Sequence, residues 1–387
     1  MRSGEIWSAG AQPVGGVAEA YGASFFEDHA EIWRRDGDLT TQLQVLVSAE
    51  DDAELRRLCL TNGGEVEREI EVTSYLELAL ADAAADAAHP AFSKLFVETE
   101  HLAGCGGALV ARRRQRAPEE AEVWAAHLAV AQAETVGKLE FETDRARFLG
   151  RGRTARAPQA VTEGRPLTGQ VGAVLDPAFV LRRRLKLAPG ATAHLSFWTF
   201  AAASRAAILD LIDQHLDPSS AERAMALAWT HAQVQLRHLG VSHQDAQTFQ
   251  RLGGHVLYAS PALRPPSEVI VAGAGGQPDL WRLGISGDLP LVLLRIADVE
   301  HVETARELLH AAEYWRLKRL AVDVVILNER ATSYVQDLQV ALEMLVRSTQ
   351  SRRAPGEDHL PGQVFVLRGD LLPDDLQARL LSCARVV

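Results

Sequence analysis

The chain has 387 residues, a formal net charge of -11, and 47% apolar and 24% charged residues. That is more than one hydrophobic core comfortably holds, so two or three domains are expected. The acidic balance excludes a general nucleic-acid binder, which needs a basic face, but leaves a neutral ligand such as a sugar open.

Cys59, Cys105 and Cys383 stand far apart with no C-x-x-C spacing. This argues against a disulfide framework or a zinc site and fits a reducing compartment. No run reaches the roughly 18 apolar residues of a membrane span, and no basic-then-apolar leader is seen, so no membrane contact is expected from this segment.

Residues 1–200 read as strands. Thr41, Leu43, Val45 and Val47 alternate with Gln42, Gln44 and Leu46, and Ile70, Val72, Leu76 and Leu78 alternate with Glu69, Glu71, Tyr75 and Glu77. Period two predicts one buried and one wet face. Asn62-Gly63-Gly64, between apolar stretches at 55–61 and 67–80, is a turn signal. Further strands are expected at 92–99, 107–113, 124–130 and 193–200, with a short helix or loop at 79–88. Many short strands with turn punctuation suggest an antiparallel sandwich.

Residues 203–260 switch to helical period. Ser204 caps a helix over 205–216. Asp217, with Pro218 after it, caps a second running to Leu239 and stopped by Gly240. Ser242 caps a third, with Asp245 three residues on. These helices read as a linker layer beside the sandwich. Residues 261–284 are a proline- and glycine-rich connecting loop. From 285 to 387, apolar runs at 289–296, 320–327 and 364–367 alternate with helices over 298–318, 332–347 and from Pro373 onward. This βαβαβα order predicts a small parallel sheet covered on both faces. The last residues, Ala384-Arg385-Val386-Val387, read as a strand starting after a helix, and a piece of a longer polypeptide is expected. The whole is a multidomain α+β chain: sandwich 1–202, linker helices 203–260, loop 261–284, α/β domain 285–387.

H-E-x-x-H, the P-loop and G-x-S-x-G are absent. Gly273, Gly275 and Gly276 sit in a proline-bounded loop and do not open a helix after a strand, so they are a poor dinucleotide fingerprint. The densest chemistry lies in residues 141–153, Phe-Glu-Thr-Asp-Arg-Ala-Arg-Phe-Leu-Gly-Arg-Gly-Arg. Glu142, Asp144, Arg145, Arg147 and Arg151 read either as an ion-pair network bracing a strand end or as groups offered to sugar hydroxyls or phosphate. Trp281, Asp288 and Trp124 are further candidates for a sugar, with core or interface the commoner use of such aromatics. Arg112-Arg113-Arg114 and Arg182-Arg183-Arg184 read as solvated faces. The histidines show no ligand spacing, and His238 and His243, flanking a helix break, read as exposed. No metal and no cofactor are expected.

Glu142-Thr143-Asp144-Arg145 and Phe148-Leu149-Gly150-Arg151-Gly152-Arg153 resemble the E-T-D-R…F-L-G-R-G-R signature of glycoside hydrolase family 94, inverting glycoside phosphorylases. The resemblance is strongest to the C-terminal region of bacterial cyclic β-1,2-glucan synthases. Ile6-Trp7-Ser8-Ala9-Gly10, His89-Pro90-Ala91-Phe92-Ser93-Lys94-Leu95-Phe96, Val174-Leu175-Asp176-Pro177, Gly284-Ile285-Ser286-Gly287-Asp288-Leu289-Pro290 and residues 328–339 extend it over nearly the whole chain. The resemblance implies a β-supersandwich, linker helices and an (α/α)6 barrel whose aspartic acid protonates the glycosidic oxygen while inorganic phosphate, the parent's co-substrate, attacks. The chain ends before anything resembling that barrel, and the α/β piece is outside the minimal phosphorylase plan. No catalytic residue is therefore carried over.

Three functions follow. The first is a carbohydrate-contacting scaffold of a β-1,2-glucan synthase or phosphorylase, inactive alone. It would sit in the cytoplasm within a parent anchored in the bacterial inner membrane, its partners β-1,2-glucan and the missing barrel. The second is a free-standing carbohydrate-binding module. The third is an independent α/β nucleotide-binding domain.

Overall fold

The computed structural model describes residues 4–330, 336–351 and 362–387. The chain divides into two compact units, Met1–Ala232 and Gln233–Val387, the division falling inside the Ser219–Leu239 helix.

The first unit contains β1 (Ala20–Phe25), β2 (Ala30–Asp36), β3 (Leu39–Val47), β4 (Ala53–Asn62), β5 (Arg68–Glu77), β6 (Val97–Leu102), β7 (Ala108–Arg113), β8 (Val123–Gln132), β9 (Thr135–Asp144), β10 (Gly172–Ala173), β11 (Pro177–Leu187) and β12 (Thr192–Ala202). Among the described residues they form a nine-stranded sheet, β1-β2-β3-β4-β12-β8-β7-β6-β10, and a three-stranded sheet, β5-β11-β9. Every pairing is antiparallel.

Alternation decides what each face does. On the inner face of the large sheet, Leu58, Leu60, Leu109, Ala193, Leu195 and Phe197 pack on Phe179, Leu181 and Leu185 of the small sheet. The other parity carries Leu55, Val110, Leu128, Trp198 and Phe200, which meet Ile208 and Ile212 of the Arg205–Gln214 helix and Ala221, Ala224 and Ala228 of the next. Both faces of the strand centres are therefore covered. The simple buried-and-wet alternation expected at 41–47 breaks at Leu46, which is buried under the helices, while Val47 is exposed.

Asn62-Gly63-Gly64 turns the chain as expected, at a corner between sheets, since β4 and β5 lie in different ones. Asn62 is fully buried there, its Nδ2 donating to the carbonyls of Val66, Leu187 and Ala188. Residues 90–94 are a helical turn with Pro90 at its start, and the strand begins only at Val97. Arg113 and Arg182 are buried, although both basic runs read as solvated.

The second unit holds a four-stranded parallel sheet: β13 (Leu291–Ile296), β14 (Asp323–Asn328), β15 (Val364–Arg368) and β16 (Ala384–Val386), in the order β15-β14-β13-β16. One face packs on the Val302–Leu317 and Asp337–Gln350 helices, the other on the Asp374–Cys383 helix. The helix expected from 298 starts at Val302, and Val299 sits in a preceding 3-10 turn, half-exposed. Residues 332–335 of the helix expected from 332 lie outside the described residues. The His243–Leu257 helix has the expected capping box from Ser242 and Asp245. Read from sequence as a linker, it buries Phe249 and Val256 in the core of Trp315 and Leu309. The 261–284 loop contains two short helices, Ser267–Ala272 and Pro278–Trp281. Its glycines serve close packing: a Cβ on Gly275 would collide with the Arg379 guanidinium, which bonds Asp279 and the Gly273 carbonyl.

Candidate functional site

The signature segment forms the end of β9, a helical turn at Arg145–Leu149 and the start of a loop, up to 169, that lies on the outer face of the small sheet. Phe148 and Leu149 press onto Ala178 and Val180 of β11, with Ala160 of the loop above them. Charged groups hold this roof down. Glu142, 1% exposed, accepts the backbone N–H groups of Thr143 (2.9 Å), Asp144 (3.0 Å) and Thr168 (3.3 Å) and the Thr168 hydroxyl. Glu140 accepts the N–H of Leu167 at 3.1 Å. Arg182, also 1% exposed, donates to the carbonyls of Arg165 (2.7 Å) and Ala160 (2.9 Å) and pairs with Glu71 (3.2 Å) and Glu140 (3.3 Å). A buried guanidinium is tolerated only when paired and hydrogen-bonded in this way.

Asp144 is the cap of the turn, accepting from the N–H groups of Ala146 (2.9 Å) and Arg147 (3.4 Å). Arg145 donates to Glu77 (2.8 Å), the Tyr75 hydroxyl (3.0 Å) and Asp176 (3.0 Å), and Lys94 holds the other oxygen of Asp176 at 2.9 Å. The Tyr75 hydroxyl and then the Arg145 guanidinium hold the Glu77 carboxyl below its ordinary range. Burial, followed by the bond to Glu77, pushes the Tyr75 phenol up. Glu77, above all, raises Arg145. Each shift favours the state already paired, which is the electrostatics of a brace.

The sequence candidates thus separate. Glu142, Asp144 and Arg145 face one another's backbone and partners. Arg147 and Arg151 are exposed, Arg147 lying 3.6 Å from Asp144. In the second unit, Trp281 and Asp288 come together around Ser286. The indole N–H donates to the Ser286 carbonyl (3.1 Å), while Gln277 donates to that carbonyl and to Asp288, each at 2.8 Å. Both side chains remain exposed. Trp124 is buried in the core beneath the helices.

Residues 1–218 match the family description "Glycosyl hydrolase 94, supersandwich domain". The chain belongs to glycosyl hydrolase family 94. Along its whole length it is 39% identical, over 386 residues, to the cyclic beta-(1,2)-glucan synthase NdvB of Rhizobium meliloti (strain 1021), of which it spans 14%. Over 188 residues, 49% of this chain, it is 27% identical to 23% of the solabiose phosphorylase of Paenibacillus borealis. Among solved structures, a GH36 alpha-galactosidase from Geobacillus stearothermophilus aligns over 94% of this chain and 54% of its own at 10% identity. Its TM-score of 0.24 is too low to bear on the fold. The two curated relatives extend well beyond the part that this chain matches.

No group of three or more His, Cys, Asp or Glu side chains among the described residues is placed to hold a metal. No helix there is long and apolar enough to cross a membrane. At the carboxyl end of β13, where a doubly wound sheet would place a nucleotide, Asp298 caps the following turn, Glu300 lies in it and Glu303 lies in the first turn of the helix after it. Acids without glycine at this point are the reverse of a phosphate cradle.

Sequence reasoning missed Arg182 and Glu140, which anchor the roof. It also missed His127, fully buried between the sheets, which lies against Phe179 and Phe197. Its Nε2 is 2.8 Å from the Ser74 hydroxyl and its Nδ1 3.1 Å from that of Thr199. Burial lowers its pKa to about 4. The signal for Arg182 was the set of acids at alternating positions 69, 71 and 77 of β5, which offers partners to a neighbouring strand.

Proposed function

We propose that the first unit is the non-catalytic, glucan-contacting supersandwich of a larger enzyme that handles β-1,2-linked glucan. The chemistry would be carried by a barrel elsewhere in the same polypeptide, with inorganic phosphate as its co-substrate. The observation that carries this reading is the use of the signature acids. Glu142 and Asp144 spend their oxygens on backbone N–H groups, and neither is left to protonate a glycosidic oxygen. The end-to-end match to a part of the Rhizobium synthase supports the substrate class. In this reading Arg147, 3.6 Å from Asp144, and Arg151, both exposed, are placed to meet inorganic phosphate, and Trp281 with Asp288 is a contact for glucan. The parent protein would sit in the bacterial inner membrane with this segment in the cytoplasm.

The test is direct. The purified 387-residue chain, given linear β-1,2-glucan and phosphate, is expected to release no glucose 1-phosphate and still to bind the glucan in titration calorimetry. Release of glucose 1-phosphate would overturn the non-catalytic assignment, and no heat at millimolar glucan would overturn glucan contact.

A further inference from the structure

Glucan contact, as read above, leaves open where on the sandwich a sugar would lie, and the register of the large sheet narrows it. Reading straight across the strands, Gly22 pairs with Trp33, Trp33 with Gln42, Gln42 with Cys59, Cys59 with His194, and His194 with Gln132. These positions share one face, because Leu58, Leu60 and Leu195, their chain neighbours, point into the inter-sheet core. At about 4.8 Å per strand the row is roughly 24 Å long. It lies on the outer face, on the same side as Trp198 and Phe200, which the helices cover.

Trp33 heads the row in an unusual way. A Cβ on Gly22 would stand 2.4 Å from the indole Nε1 and 2.7 Å from Cε2, so the indole fills the space over the bare backbone of β1. It is held against that strand and is still 39% exposed. A rigid, half-seated indole is a stacking platform for a pyranose ring, whose C–H face meets the π-system at small entropic cost. Across the sheet from it stands the Gln42 carboxamide, with Gln44 two residues along the same strand face.

The cations near the row are paired: Arg35 with Glu19 at 3.7 Å and Arg57 with Glu222 at 3.5 Å, while Glu31 keeps its charge and accepts from Gln44 at 3.4 Å. Burial lowers the His194 pKa, which keeps the imidazole neutral. Two polar atoms on this side, His194 Nδ1 and Arg57 Nε, are shielded from solvent without a hydrogen-bond partner. The Ser219–Leu239 helix walls one side, where Met225 Sδ lies 3.3 Å from Arg57. A strip with paired arginines and the carboxamides of Gln42, Gln44 and Gln132 offers hydrogen bonds to a neutral polyol, while Glu31 would repel an acidic polymer.

We propose that the strip Trp33–Gln42–His194 on the outer face of the nine-stranded sheet binds a neutral oligosaccharide, with one sugar ring stacked on Trp33. The proposal rests on the glucan-contacting reading and adds its location. The probe is a linear β-1,2-linked gluco-oligosaccharide, titrated calorimetrically into the full chain and its variants. Trp33→Ala and Gln42→Ala are each expected to weaken binding about tenfold. Gly22→Ala, which must lift the indole, should do the same, while Trp229→Ala, on an exposed helix position outside the row, should not. Wild-type binding that survives Trp33→Ala and Gln42→Ala overturns the strip and leaves glucan contact standing. A lower Tm in Trp33→Ala with unchanged affinity also overturns it, making the indole only a brace for its edge-strand glycine. No binding by the wild type removes the glucan reading itself, and the strip with it. Gln42→Ala, a half-buried surface change, keeps the test open if Trp33→Ala fails to fold.

Discussion

The outer faces of the two sheets are finished differently. The small sheet is roofed by the loop up to residue 169, and the roof is fastened by Glu140, Glu142 and Arg182, whose oxygens and nitrogens end on loop backbone. The large sheet is covered by helices over Trp198 and Phe200 and left open along Trp33, Gln42 and His194. The roofed face has the charge density of an active site and nothing to spare. The open face has modest residues with unspent groups. A loop with only one short helix, Gln159–Thr162, must have much of its remaining backbone satisfied from below, which takes acids and arginines. A face meant for a neutral ligand gains nothing from them.

That contrast can be broken by substitution, the largest effect coming from the roofed side. Arg182→Met strands two loop carbonyls and takes the buried cation from Glu71 and Glu140, which keep Arg184, so a loss of about 3 kcal/mol is expected in denaturant unfolding, with faster proteolysis at 154–168. A loss below about 1 kcal/mol would mean the roof is not fastened there.

Next is the inner side that both sheets share. His127 binds its proton with a pKa of about 4 when folded and near 6.5 when unfolded. The unfolded state therefore holds more protons between those values, and stability falls as pH drops through that window, by about 3 kcal/mol in all. Urea midpoints at pH 7.5 and 4.5 check this, and His127→Asn should flatten the dependence. Glu142→Ala leaves three backbone N–H groups unpaired, worth about 2 kcal/mol. Arg145→Ala, in a partly exposed network, costs about 1 kcal/mol after solvent screening. Smallest is Gln42→Ala on the open face, under about 0.5 kcal/mol in stability, while glucan affinity drops. Equal stability costs for Glu142→Ala and Gln42→Ala would erase the contrast.

Much of the framework was legible in the sequence. The three continuous apolar runs of the second unit are β13, β14 and β15; β14 is buried at every position, and a strand covered on both faces keeps its apolar run nearly unbroken. The caps at Ser204 and Ser242 form as read, since capping is local. β11 was not found because Arg182-Arg183-Arg184 interrupts its apolar pattern, and only the register beside Glu71 and Glu140 shows that the middle of the strand buries a guanidinium. The signature segment was found at once, with bracing and binding left open; the partners of Glu142 and Arg145 are far away in sequence. Trp33 gave no signal at all, since nothing in the chain says that Gly22 lies opposite it.

Hydrogen–deuterium exchange of the full chain with and without linear β-1,2-gluco-oligosaccharide tests the contrast most directly. The account predicts slower exchange in β2 and β3, Ala30–Asp36 and Leu39–Val47, and no change at 141–168. Protection at 141–168 with none in β2 and β3 would contradict it, and would return the signature segment to the role of a sugar site.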